Sequence, residues 1–251
     1  MEFTYEFDWS VIARHEYRDY LLYGVLYTFI IAFFSTVLSI LIGIVIASGR
    51  LSQVKYFFWT CSAWVGVARH IPAVFWILFF YFVFPEILPD SLGSILHGWG
   101  NYALLAGIVA LSIDNGTYVS DILRNGVLAI SSGEREAAKS CGLTSKQQWI
   151  FCLLPLAIRI VLPALANRTI HNFKNSSLCI VIGVTELTWA TQQIESLSFR
   201  GLEATLVATI FYIVISLILG SVSHKMENRL NSCRYSTKDV LNKPSLSVPV
   251  T

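Results

Sequence analysis

Long apolar stretches separated by short polar ones divide the chain on the scale of a bilayer. A helix that crosses a hydrocarbon core of about 30 Å needs about 20 residues with few charges. Tyr20 to Ser48 has none, and Arg50 and Lys55 follow it. Tyr56 to Phe84 is interrupted by Arg69 and Pro72. Tyr102 to Leu123 contains Asp114 and Asp121. A fourth stretch lies within Ile160 to Val184 and holds Arg168 and Lys174. Ala204 to Val222 is the last, closed by the polar run His224 to Arg229. The pattern predicts an all-α integral membrane protein with five transmembrane helices. Residues 1–19 form a polar leading segment and 20–230 the membrane domain. Residues 231–251 form a polar tail with two prolines, read as disordered.

Composition agrees. Charged residues make up 14% of the 251, against about 25% in soluble domains, and mean hydropathy is +0.60. A net charge of +2 gives no reason to expect a nucleic-acid partner. The first nineteen residues show no signal-peptide pattern, so the first apolar run is expected to stay in the membrane. Five scattered cysteines, with no CxxC and no histidine at ligand spacing, predict inert thiols and no metal site.

Where Lys and Arg fall predicts orientation. Arg50 and Lys55, the region from Arg124 to Lys146, and the tail are basic; residues 85–101 have no Lys or Arg. The N-terminus is therefore expected on the periplasmic side and the C-terminus in the cytoplasm. Trp99 and Tyr102 then lie at one interface and Trp149 at the other.

One polar stretch has its own design. "SSGEREAAKSCGLTSKQQW" runs from Ser131 to Trp149, on the predicted cytoplasmic side. Ser131 with Glu134, and Thr144 with Gln147, have capping-box spacing. Gly142 can end a helix in the left-handed region. The spacing predicts helix, glycine corner, helix. Ala137 and Ala138 would let a partner's backbone come close. Read from local chemistry alone, it is either a docking element or an ordinary interfacial loop.

Glu136-Ala137-Ala138, then Gly142, then Leu154-Pro155 resembles the EAA loop of ABC-importer permeases, with Cys152 where that pattern has isoleucine. "TYVSDILRNGVLAI" resembles the polar amino-acid branch of that family, with Tyr118, Asp121, Arg124 and Gly126 at matching places. "RHIP" (Arg69 to Pro72), "FKNSSL" (Phe173 to Leu178) and Gly183 to Leu187 extend the likeness, which is nearest to glutamate/aspartate permeases. The resemblance implies a permease of the bacterial inner membrane that does no chemistry itself. Glu134 to Leu143 would be a coupling helix, with Glu134, Glu136, Ala137, Ala138, Gly142 and Leu143 meeting the motor. The implied partners are two ATPase subunits, a second permease chain (identical or different), a periplasmic amino-acid-binding protein and membrane lipid. ATP and Mg would be used by the ATPase subunits; this chain has no GxxxxGK[ST] and is expected to bind no cofactor. The alternative is a stand-alone secondary transporter or channel for small polar solutes. No zinc motif and no GxSxG supports a membrane enzyme.

Ionisable groups at membrane depth cost about 2.5–3.5 kcal/mol on insertion scales, so they face partners or water. Lys174, followed by Asn175 and Ser176 in a polar run that weakens the helix, either lines the substrate path or pairs with a carboxylate such as Asp114. Arg69 faces the path if the second stretch is one continuous span, and snorkels at the cytoplasmic face if Tyr56 to Ala68 lies along the interface. Asp114 would balance the site or meet a substrate ammonium. Glu186 and Glu195, in the outer loop, either dock a binding protein or form a solvated loop.

Overall fold

The computed structural model describes residues 6–241, with side chains to residue 229. The described residues form helices and no strand. In chain order they are α1 (Ser10–Ala13), α2 (His15–Leu51), α3 (Lys55–Ala68), α4 (Ala73–Ile87), α5 (Asp90–Gly98), α6 (Tyr102–Leu128), α7 (Ser132–Ser140), α8 (Ser145–Ile182), α9 (Leu187–Ser198) and α10 (Gly201–Leu241). Helices α2, α6, α8 and α10 are long and apolar enough to cross a membrane. A fifth crossing is made if the bent pair α3–α4 counts as one span.

The second stretch is not straight. Helices α3 and α4 meet at 105°. Ile71 precedes Pro72 and is kept out of the helical region; Pro72 itself is extended, with φ −60° and ψ 143°. The fourth span starts earlier than its charge pattern predicts. Leu154-Pro155, the end of the EAA-like pattern, lies inside α8. The helix crosses Pro155 through a π-helical stretch, Gln148–Leu153. In α4 a second π stretch, Phe79–Val83, comes just before Pro85. A proline offers no N–H to the carbonyl four residues back and crowds it. Both wider turns cover that carbonyl, which lets the helix continue. The backbone of α10 remains helical to Leu241; residues 242–251 of the expected disordered tail, and residues 1–5, lie outside the described residues.

Helix α6 is the centre. Two-thirds (67%) of its apolar window is buried, against 28% for α2, 11% for α8 and 6% for α10. The latter two leave apolar faces open to lipid or another chain. Ile31 of α2, Ile77 of α4 and Leu111 of α6 are fully buried in the main cluster. Helices α2 and α6 cross closely at glycine. A Cβ on Gly116 would stand 2.8 Å from Ile42 Cγ2 and 3.2 Å from the Ser39 carbonyl oxygen. Gly116→Ala is accordingly expected to cost about 1–3 kcal/mol of overpacking, read as a lowered unfolding midpoint of the detergent-solubilised protein.

Candidate coupling helix and intramembrane charge network

The polar stretch folds as its spacing predicts. Ser131 Oγ accepts from the Glu134 N–H at 3.2 Å, and Glu134 Oε2 accepts from the Ser131 N–H at 2.9 Å. Thr144 and Gln147 repeat the box at the start of α8. Between them Gly142 has φ +69°, a conformation that glycine adopts without steric cost. Glu134, Glu136 and Ala137 are exposed, Ala138 is buried and Leu143 is half-buried. Helix α7 is shorter than expected, ending at Ser140. Arg135 ties it to the end of α6 by donating to the Val127 carbonyl at 3.0 Å.

The charges at membrane depth pair differently from the expectation. Asp114 bonds Arg168, not Lys174: Arg168 Nη2 donates to Asp114 Oδ2 at 3.2 Å. Arg168 Nε also donates to Asn115 Oδ1 at 2.5 Å, its Cζ stands 4.0 Å over the Tyr118 ring, and Nη1 lies 3.3 Å from His171 Nδ1. Asn115 passes the network to α2 by donating to Ser39 Oγ at 2.7 Å. The pair is deep in the bundle, with side chains 13% and 6% exposed.

Arg69 lies at the α3–α4 elbow, where the second stretch bends instead of running on as one straight span. Its guanidinium donates to Asp121, and its carbonyl accepts from Tyr118 Oη at 3.2 Å. Arg50 Nη1 donates to the other oxygen of Asp121 at 2.5 Å. Among the described residues Arg69 and Lys174 share no hydrogen-bond or ion-pair partner. Lys174 is exposed and borders a cavity of 360 Å³ between α8 and α10, with Thr209, Tyr212 and Ser216. Among the described residues it has no ion-pair partner. The helix-weakening run after it appears as a change from α to 3-10 geometry at Ser176. Asn175 is half-buried. Ser176 turns inward, its hydroxyl donating to the Phe173 carbonyl at 2.7 Å.

Glu186 is not on the surface. It is fully buried, and its carboxylate caps α9, accepting from the N–H groups of Thr188 (2.8 Å) and Trp189 (2.9 Å) and from Tyr212 Oη (3.2 Å). Burial pushes its carboxyl above the usual carboxylate range, against these donors. A group so enclosed cannot meet a binding protein; Glu195 is exposed and can. Arg168, Asn115, Tyr118 and Asp121 are the members of the network that the charge pattern alone did not single out as a site.

A family model described as "Binding-protein-dependent transport system inner membrane component" matches residues 39–232. The chain is 36% identical over 166 residues to the glutamine transport system permease protein of Escherichia coli (strain K12), covering 66% of this chain and 72% of that one. It is 35% identical over 213 residues to the glutamate/aspartate import permease protein of Escherichia coli O6:H1, covering 85% and 93%. The crystal structure of an amino acid ABC transporter with histidines aligns with a TM-score of 0.78 at 28% identity, over 90% of this chain and 100% of that chain.

Proposed function

The chain belongs to the family of binding-protein-dependent transport system inner membrane components, and from that premise we propose that it is the permease of an ATP-driven importer of glutamate and aspartate. It is a membrane subunit of an amino-acid ABC transporter and not an enzyme; membership removes the alternative of a stand-alone transporter or channel. Such a system includes an ATPase and a solute-binding protein. Two ATPase subunits, using ATP and Mg, and a second permease chain complete the proposed complex. The open apolar faces of α8 and α10 are available for that second chain and for lipid.

The observation that carries the mechanism is the doubly capped helix–glycine–helix that links two spans. It offers Glu136, Ala137 and Gly142 as a rigid, solvent-facing edge, with Glu134 committed to its cap and Ala138 and Leu143 to its footing. Closure of the ATPase subunits would push this edge, and α6 and α8 would receive the push directly. The basic residues at the same end support a cytoplasmic placement. Glu195 is the proposed contact for the binding protein.

The acidic substrate is favoured by Lys174, a cation bordering a cavity, with no ion-pair partner among the described residues. Asp114 is neutralised by Arg168, so it need not repel a second carboxylate. A glutamine importer is the second reading, favoured by the 36% identical relative. Losing one charge-assisted hydrogen bond costs about 1.5–3 kcal/mol, or about 10- to 150-fold. Lys174→Ala in the complex reconstituted with its ATPase and binding protein is expected to reduce glutamate uptake by that factor and leave glutamine uptake nearly unchanged. Equal glutamate uptake by both proteins removes Lys174 from the path.

A further inference from the structure

Asp121 holds two arginines from two different elements. One oxygen accepts from Arg50, in the last turn of α2, and the other from Arg69, the first residue past α3. The Arg50 and Asp121 side chains are 13% and 23% exposed, so this pair is better shielded than the surface ion pairs that contribute almost nothing. The elbow is held a second time. Tyr118, one turn earlier on α6, donates to the Arg69 carbonyl. One face of α6 therefore grips the elbow by both side chain and main chain. Toward the same end α6 is tied to α7 through Arg135 and the Val127 carbonyl. Asp121 is seven residues from Leu128, the end of α6, or about 10 Å along the axis.

We infer that Asp121 is a positioning residue for coupling: it clamps the α3–α4 elbow to α6 and α2, so that α4 moves as one body with α7. The inference rests on the importer reading. His70 to Pro72 lie outside both helices, and hinges absorb backbone change in a few such residues. Without the clamp, a push on α7 would still turn α6 and would leave α4 behind. ATP would be hydrolysed without a matching movement of solute.

The test measures import and ATP hydrolysis in the same vesicles, with the complex reconstituted from this chain, its ATPase subunits and its binding protein. The probe is glutamate or glutamine, whichever the unmodified complex imports. If the unmodified complex shows no stimulation of hydrolysis by the binding protein, the importer reading falls and the clamp falls with it. With stimulation present, Asp121→Asn is expected to lower the solute imported per ATP by about 2- to 30-fold. Asp121→Glu, which keeps a carboxylate for both arginines, is expected to restore the ratio. Asp121→Asn combined with Arg69→Gln should be no worse than Asp121→Asn alone, because Asp121→Asn already removes the ion pair that Arg69→Gln removes. An unchanged ratio in Asp121→Asn, failure of Asp121→Glu to restore it, or losses that multiply in the double variant overturns the inference. If Asp121→Asn does not reach the membrane, Arg69→Gln, which leaves Asp121 on Arg50, carries the same expected fall, and an unchanged ratio there overturns it.

Discussion

Replacing Arg168 by methionine is expected to lower the stability of the detergent-solubilised permease by about 3–5 kcal/mol, the range for a buried ion pair deprived of one partner. For a domain of this size that corresponds to a fall of roughly 6–20 °C in the unfolding midpoint. Methionine keeps the apolar stem of the side chain, so the loss reports chiefly the guanidinium's charge and hydrogen bonds. An asymmetry between the partners sharpens the expectation. Among the described residues Arg168 is the hydrogen-bond partner of Asp114, whereas Arg168 also has Asn115 and the Tyr118 ring. Removing the arginine therefore leaves a buried carboxylate alone, while Asp114→Asn leaves a cation that still has company. Asp114→Asn should cost distinctly less. Replacing both, as Arg168→Met with Asp114→Asn, removes the stranded charge and should recover much of the loss. A midpoint within about 2 °C of the unmodified protein for Arg168→Met would show that the pair does not hold the bundle.

That pair also shows where the sequence stops being legible. The spans, their order and the polar corner could be read because each rests on local rules: length against bilayer thickness, capping boxes at three-residue spacing, and glycine at a left-handed position. Pairing across helices depends on depth, and depth depends on where a span begins. Placing the fourth span at Ile160 to Val184 put Lys174 well inside the membrane and made it a candidate partner for Asp114. The true helix runs from Ser145 to Ile182, antiparallel to α6. Asp114 is then 12 residues, about 18 Å, from the Tyr102 end of α6, and Arg168 is 14 residues, about 21 Å, from the Ile182 end of α8. Lys174, only 8 residues from that end, is too shallow. Arg168 and Lys174 are also six residues apart, on different faces of the helix, and packing alone decides which face meets α6. Glu186 failed for a related reason. A glutamate before an apolar run reads equally as surface charge or as a cap, and only the packing of Thr28, Leu187 and Tyr212 around it decides. Arg69 was legible beside a possible break, and the elbow at Pro72 is that break.

Gly142→Asp is expected to abolish co-purification of the ATPase subunits and to reduce uptake by about 30-fold or more, since a charge forced unpaired into an interface costs about 2–5 kcal/mol. The bundle itself should be indifferent. A Cβ at position 142 meets nothing within 4 Å, so the chain has room for any side chain there. What remains is the left-handed backbone, φ +69°, which costs an L-residue about 1–2 kcal/mol and costs asparagine or aspartate less. Gly142→Asn therefore serves as the control: it shares the shape and the backbone strain of aspartate without its charge. Unfolding midpoints of both variants should match the unmodified permease within a few degrees, because α7 and the start of α8 keep their separate capping boxes. Between the two, the loss of ATPase binding should follow the charge. Exposed Glu136, six residues earlier, already gives this edge a carboxylate, and a second one would change the sign balance that a docking surface must match. If Gly142→Asp folds normally and still retains its ATPase subunits, nothing docks at this corner, and coupling must be sought at another exposed part of α7. If binding is lost with the bundle intact, the empty space beside Gly142 in the single chain is the place a partner fills.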